Sequence, residues 1–218
     1  MDGVISILYE DGDIVAVDKP EGLAAIPERR PQRRSLLEIL QARRRERLYI
    51  VHRLDKETSG VILFARTAEA HRRLNQQFEH RLVAKTYLAV VHGAIDDDEG
   101  VIEAGLRQFG SGRVAVDPQR GKASTTEFRV QERFKASTLV EAHPRTGRRH
   151  QIRVHLYHLG HSILGDPLYG DKTKQSYYPR LMLHAQTIEL KLRSGKNLTL
   201  EAPVPPSVQR LLDTLAHR

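Results

Sequence analysis

The sequence predicts an α+β fold with a mixed, mostly antiparallel central sheet and flanking helices. Three observations predict it. β-rich runs meet at hairpin signals near both ends of the chain, around Asp11-Gly12 and Ser194-Gly195. Between them, segments such as residues 85–91 show the period-two alternation of a strand, while four others show the three-to-four-residue spacing and end signals of amphipathic helices. At 218 residues the chain suits one domain with a sizeable core, and no internal repeat divides it, so a single domain over residues 1–218 is expected.

Each element has a local cause. Residues 5–9 and 14–17 flank Glu10-Asp11-Gly12-Asp13, a turn in which Asp-Gly readily supplies positive φ. Ser35-Leu36-Leu37-Glu38 is a capping box opening a helix to about residue 47, with Leu36, Leu37 and Leu40 inward and the arginines outward. Residues 49–51 and 61–64 read as buried strands. A helix over residues 68–81 sets Leu74, Phe78 and Leu82 at i, i+4 and i+8 toward the core. Along residues 85–91, Lys85, Tyr87, Ala89 and Val91 share one strand face. Residues 96–100 and 109–121 read as turns and a surface excursion, followed by strands over 125–130 and 138–142. A helix over 147–159, stopped by Gly160, buries Ile152, Leu156 and Leu159 and lines Arg149, Arg153 and Tyr157 along one flank. Residues 182–192 and 198–201 form a last hairpin, and 205–217 a closing helix.

Thirty-five lysines and arginines against 27 acids give a net charge of +8, which makes polyanions the expected partners. The charge is clustered: Arg29, Arg30, Arg33 and Arg34; Arg43, Arg44, Arg45 and Arg47; Arg145, Arg148, Arg149 and Arg153. The absence of cysteine excludes disulfides, thiolate catalysis and cysteine-based zinc sites, and suits a reducing compartment such as the cytoplasm. No apolar run approaches the roughly 18 residues of a membrane span, and the first residues lead into a strand pattern instead of a signal peptide, so neither membrane insertion nor secretion is expected.

Chemistry concentrates in two segments. In Val51-His52-Arg53-Leu54-Asp55-Lys56-Glu57-Thr58-Ser59-Gly60, an acid follows an arginine inside a polar loop held at both ends by apolar sequence, the rigid frame that an attacking carboxylate requires. His52, Asp55 and Ser59 do not read as a hydrolytic triad, because three members within eight residues seldom converge and no nucleophile elbow is present. The second segment is Arg145-Thr146-Gly147-Arg148-Arg149-His150-Gln151-Ile152-Arg153-Val154-His155, followed by Gly160-His161-Ser162-Ile163-Leu164-Gly165-Asp166-Pro167-Leu168-Tyr169-Gly170. His150, His155, His158 and His161 invite a metal, yet His150 and His155 fall on different helix faces and no carboxylate completes a set; no metal is expected.

With Lys85-Thr86-Tyr87-Leu88-Ala89-Val90-Val91-His92-Gly93 between them, these segments resemble the RluA-type family of RNA pseudouridine synthases in order and spacing. The likeness runs from Ile14-Val15-Ala16-Val17-Asp18-Lys19-Pro20-Glu21-Gly22-Leu23 to Arg180-Leu181-Met182-Leu183-His184-Ala185. It departs in the arginine-rich segment 29–34 and in the spacer 96–121, which bear on substrate choice and not on chemistry. The resemblance implies a pseudouridine synthase-like catalytic domain. Many similar proteins also carry an N-terminal S4-type RNA-binding domain; none is expected here, because the first hairpin starts at once.

Pseudouridine formation breaks the uracil N1 to ribose C1′ bond, turns the base and rejoins it through C5. It needs no cofactor, in keeping with the lack of a Walker loop or dinucleotide fingerprint. By resemblance Asp55 is the catalytic acid, acting at the sugar or the base or removing a ribose proton. Arg153 is its partner, an arginine suited to orient a carboxylate and keep it ionised. The same resemblance implies that Tyr87 stacks on the target base and assists deprotonation at C5. Arg53 fills the gap left when the uridine is flipped out, while His52, Lys85, Arg145, Arg148 and Arg149 are expected on the RNA. The expected enzyme is a monomer acting on a stem-loop of transfer or ribosomal RNA. Two rivals differ in class: a basic RNA-binding module or chaperone without turnover, and a nucleoside glycosylase or hydrolase that directs water to the same carbon.

Overall fold

The computed structural model describes residues 5–28, 33–110 and 112–217, so Arg29 and Arg30 lie outside the described residues. Its elements run β1 (Ser6–Glu10), β2 (Ile14–Lys19), α1 (Leu36–Arg44), β3 (Tyr49–Ile50), β4 (Ser59–Ala65), α2 (Ala68–Glu79), β5 (Ala84–His92), β6 (Glu99–Glu103) and β7 (Leu106–Gln108). Then follow β8 (Val114–Val116), β9 (Thr125–Arg133), β10 (Ser137–Pro144), α3 (Gln151–His158), α4 (Lys172–Gln175), β11 (Leu183–Lys191), β12 (Asn197–Glu201) and α5 (Pro206–Ala216). The α+β class is as the sequence predicts, and the strands pair mostly antiparallel. By contact the chain forms two compact units: Met1–Lys85 with Ala185–Pro203, and Thr86–His184 with Val204–Arg218.

In the first unit β1, β2 and β4 are successive antiparallel neighbours, β3 adds to β4, and β12 pairs with β11. The β1–β2 turn does not use a left-handed glycine, since Gly12 has no positive φ. Asp11 makes it instead: one carboxylate oxygen accepts the Asp13 and Ile14 N–H groups at 2.7 Å each, so the side chain does what the glycine was expected to do. β4 is buried at every position, whereas β3 is only two residues long and Ile50 is exposed, so the strand expected over 49–51 is a short edge. α1 has its capping box, Ser35 and Glu38 bonding reciprocally. It stops at Arg44, three residues early, because Arg45 turns left-handed at φ 53°. Arg44 does not simply face solvent; it ion-pairs with Glu10 and Glu46, which Arg66 also reaches. α2 ends at Glu79, before the i+8 position, and Leu82 is left 66% exposed instead of buried. Leu63, Leu74, Ile188 and Leu200 are among the residues of this unit's core.

In the second unit β5, β10, β9 and β6 are antiparallel neighbours, and α5 packs Leu211, Leu212 and Leu215 against a core that includes Val90, Val140, Leu156 and Met182. The spacer read as turns and a surface excursion holds β6 and a separate β7–β8 ribbon. Leu106 and Val114 of that ribbon are buried against Val154 and Tyr169, a contact that no local pattern announces. The larger correction concerns α3. It begins at Gln151, not near residue 147, because His150 is left-handed at φ 55°. Arg149 therefore precedes the helix, and the expected flank of Arg149, Arg153 and Tyr157 does not form.

Candidate active site

Asp55 stands in residues 51–58, between β3 and β4 of the first unit. Its loop is fixed from below by Lys19, whose side chain is fully buried. The three hydrogens of that ammonium meet three carbonyls: Pro20 at 2.9 Å, Leu23 at 2.8 Å and Lys56 at 3.1 Å. The Lys56 carbonyl also accepts the Gly22 N–H at 2.8 Å, and the Asp55 carbonyl accepts the Thr58 N–H at 3.1 Å. The backbone just after the acid is thus tied to β2 and the turn after it, and the acid's own carbonyl closes a turn within the loop. Where the loop re-enters β4, Gly60 has φ 114°, and a Cβ there would overlap the backbone of Ala185. Lys19 is a positioning residue that sequence reasoning passed over, although a lysine between a buried strand and a proline was its visible signal.

His52, expected on the RNA, has a structural role in the fold. Its Nε2 accepts the Leu63 N–H at 3.1 Å, and its ring stacks on Phe78 with centroids 5.0 Å apart. The residue is partly exposed, yet burial of the ring, reinforced by the charge of Lys85, pushes its pKa down to about 3. At neutral pH it carries no charge to offer a phosphate. Lys85, at the start of β5, is itself pushed down to about 8 by desolvation, so it is a cation poised to lose its proton in mild alkali. Arg53 is exposed, and no side chain among the described residues ion-pairs with it.

The second unit carries the other expected residues. Tyr87 lies on β5 opposite Ala142 of β10, half-buried against the core. Arg153, on α3, is 1% exposed, and its Nε and Nη2 each donate at 2.8 Å to one oxygen of Asp166. The guanidinium also lies 5.2 Å from the centre of the Tyr169 ring. Asp166 is buried as well and accepts the Leu168 and Tyr169 N–H groups at 2.9 and 3.1 Å. A carboxylate saturated in this way fixes the arginine as a rigid cation. Asp166 belonged to a recognised segment, but its pairing with Arg153 across 13 residues left no sequence signal. Arg145, Arg148 and Arg149 are exposed around the turn before α3. Arg145 forms a forked pair with Glu127, at 2.8 and 2.6 Å, with which RNA must compete. Arg148 reaches the Ala123 carbonyl at 3.5 Å and Arg149 the His150 ring at 3.4 Å, both long contacts that leave them available. Among the described residues no three histidines or carboxylates converge as a metal site, and no helix is long and apolar enough to cross a membrane.

The sequence profile of RNA pseudouridylate synthases matches residues 13–158, a span that includes Asp55, Tyr87 and Arg153. The chain belongs to that family. It is 39% identical over 97% of its length to the ribosomal large subunit pseudouridine synthase D of Nitrosomonas europaea, and 37% identical over 96% to the ribosomal large subunit pseudouridine synthase C of Pasteurella multocida. It spans 65% and 67% of the length of these two synthases. The solved structure of human RNA pseudouridylate synthase domain containing 4 superposes with a TM-score of 0.79 at 26% identity, covering 97% of this chain and 93% of that one. This likeness to a pseudouridylate synthase agrees with the α+β class the sequence predicts.

Proposed function

We propose that this chain is an RNA pseudouridine synthase that converts uridine to pseudouridine without a cofactor. The observation that carries the reading is the family match over residues 13–158, with an acid at 55 in a loop whose backbone is pinned at the next residue, Lys56. Asp55 is the catalytic carboxylate. Tyr87 supports the base and the loss of its C5 proton. Arg153 is the catalytic arginine, a rigid cation held in place by Asp166. Arg53 fills the stack vacated by the flipped uridine, and Arg148 and Arg149 bind phosphate. The relatives named for the large ribosomal subunit favour ribosomal RNA over transfer RNA as substrate. A stem-loop is the expected target, the chain acts as a monomer, and the cytoplasm is the expected setting.

Nuclease digestion of treated RNA and separation of its nucleosides test the reaction class. The synthase reading expects uridine to decline and an isomer of equal mass to appear, with chain length unchanged. Free uracil would instead mean a hydrolase, and no covalent change a binding module. Asp55→Asn is expected to abolish conversion while RNA affinity stays within about threefold, because one uncharged amide replaces one carboxylate among many phosphate contacts. A large loss of affinity would contradict this division of roles.

A further inference from the structure

The second unit has a cleft of about 370 Å³ that the residues discussed above do not use. Its walls include His92, Tyr157, Ser162, Gly170, Asp171 and Lys174. Hydrogen-bond directions in its floor can be worked out. Gln175 is buried, and its amide nitrogen donates to the Ile163 and Tyr169 carbonyls, both at 2.9 Å. Its oxygen must then be the atom accepting the Gly165 N–H at 2.7 Å. That same oxygen lies 3.2 Å from Nε2 of His92, so Nε2 carries the proton and Nδ1 is left as an acceptor. Burial lowers the pKa of His92, with a smaller push from Lys174, which keeps the ring neutral and the acceptor available.

Beside it stands Ser162, 8% exposed and backbone-bonded to His92 through its carbonyl at 2.9 Å. Its hydroxyl oxygen lies 3.2 Å from the Gln175 amide nitrogen, and its hydrogen has no acceptor among the described residues. Gly170, at φ 99°, keeps this hydroxyl uncovered, because a Cβ there would come within 2.6 Å of it. Two residues lining the cleft thus carry, respectively, a hydroxyl donor and a ring-nitrogen acceptor that the other described residues leave unused. Tyr157, 43% exposed, supplies an aromatic wall, and Lys174 a cation without an ion pair among the described residues. Asp171 is turned to the first amides of α4, accepting from Thr173 and Lys174 at 2.8 and 3.2 Å.

We propose that this cleft is a nucleotide-binding subsite that holds one unpaired nucleotide of an RNA strand. Every nucleobase presents a donor and an acceptor on its pairing edge, the chemical complements of what His92 and Ser162 carry. The tyrosine face suits base stacking and the lysine a phosphate, and the volume falls within the range of small-ligand clefts. The proposal deepens the synthase reading, from which it takes RNA as the source of the nucleotide.

The test titrates the whole protein with uridine 5′-monophosphate, adenosine 5′-monophosphate and a short oligouridylate, following the His92 ring by NMR and crosslinking the oligomer through 5-iodouridine. Saturable shifts at His92 and a crosslink at Tyr157 are expected. Tyr157→Ala and Lys174→Ala, both surface changes, should each weaken oligomer binding roughly tenfold without lowering the unfolding temperature. Stronger binding of the oligomer than of either monophosphate assigns the cleft to an RNA strand. Equal binding overturns that source in favour of a free nucleotide, and no saturable shift with any probe overturns the subsite itself. Conversion of uridine, measured in parallel, separates the readings: turnover without a shift removes the cleft alone, and a shift without turnover removes the reaction alone.

Discussion

At Lys19 a fully buried ammonium donates to three backbone carbonyls that belong to two stretches of chain. Methionine would fill the volume and leave those carbonyls short of a donor, so Lys19→Met is expected to cost about 2–4 kcal/mol in urea unfolding. An unchanged midpoint would show that the peg is dispensable. His52 gives a dependence on pH whose sign can be worked out. Its pKa is about 3 when folded and near 6.5 when free, so between those values the unfolded chain binds a proton that the folded chain does not. Stability is therefore lost as pH falls from 6.5 toward 3. His52→Gln, which removes that proton site, should flatten stability against pH in this window while costing stability at neutral pH. The role of His52 was not visible in the sequence, and that of Lys19 showed only as a lysine between a buried strand and a proline. Both depend on which carbonyl or amide the fold brings to the end of a side chain.

The regular elements were legible where period and end signals agreed. α1 with its capping box, the β1–β2 and β11–β12 hairpins and the closing α5 all occur where expected. Ends were less legible, since a single left-handed residue decides them: Arg45 ends α1 early and His150 delays α3. The β7–β8 ribbon escaped because three-residue strands carry too little alternation to be read. On α3 the decisive interaction is the buried Arg153–Asp166 pair, with side chains 1% and 0% exposed. Asp166→Asn should destabilise the protein by about 3–5 kcal/mol, because it removes the negative charge from a buried, doubly hydrogen-bonded ion pair. A change below 1 kcal/mol in calorimetry would mean that the pair does not hold the helix. Asp55 was legible as an acid in a framed loop, but its frame was only half right: β4 is fully buried, whereas β3 is a two-residue edge and Lys19 supplies the other support.

For the molecule as a whole, the family was legible because five segments fall in order along the chain, and a profile match over residues 13–158 agrees. The net charge of +8 predicts that RNA affinity falls at least tenfold between roughly 50 and 200 mM salt, as phosphate contacts release counterions. A flat salt response in filter binding would contradict an electrostatic interface. The partition of the chain into two units was not legible, because each is assembled from segments distant in sequence, the first taking residues from both ends of the second's main span. The central claim is isomerisation at uridine by Asp55, and tritium release from RNA labelled at uridine C5 tests it most directly. Bulk RNA from cells lacking this protein is the substrate, with wild type and Asp55→Asn side by side. The account predicts release by wild type and none by the variant. Equal release by both would contradict the role of Asp55, and no release by wild type would contradict the reaction.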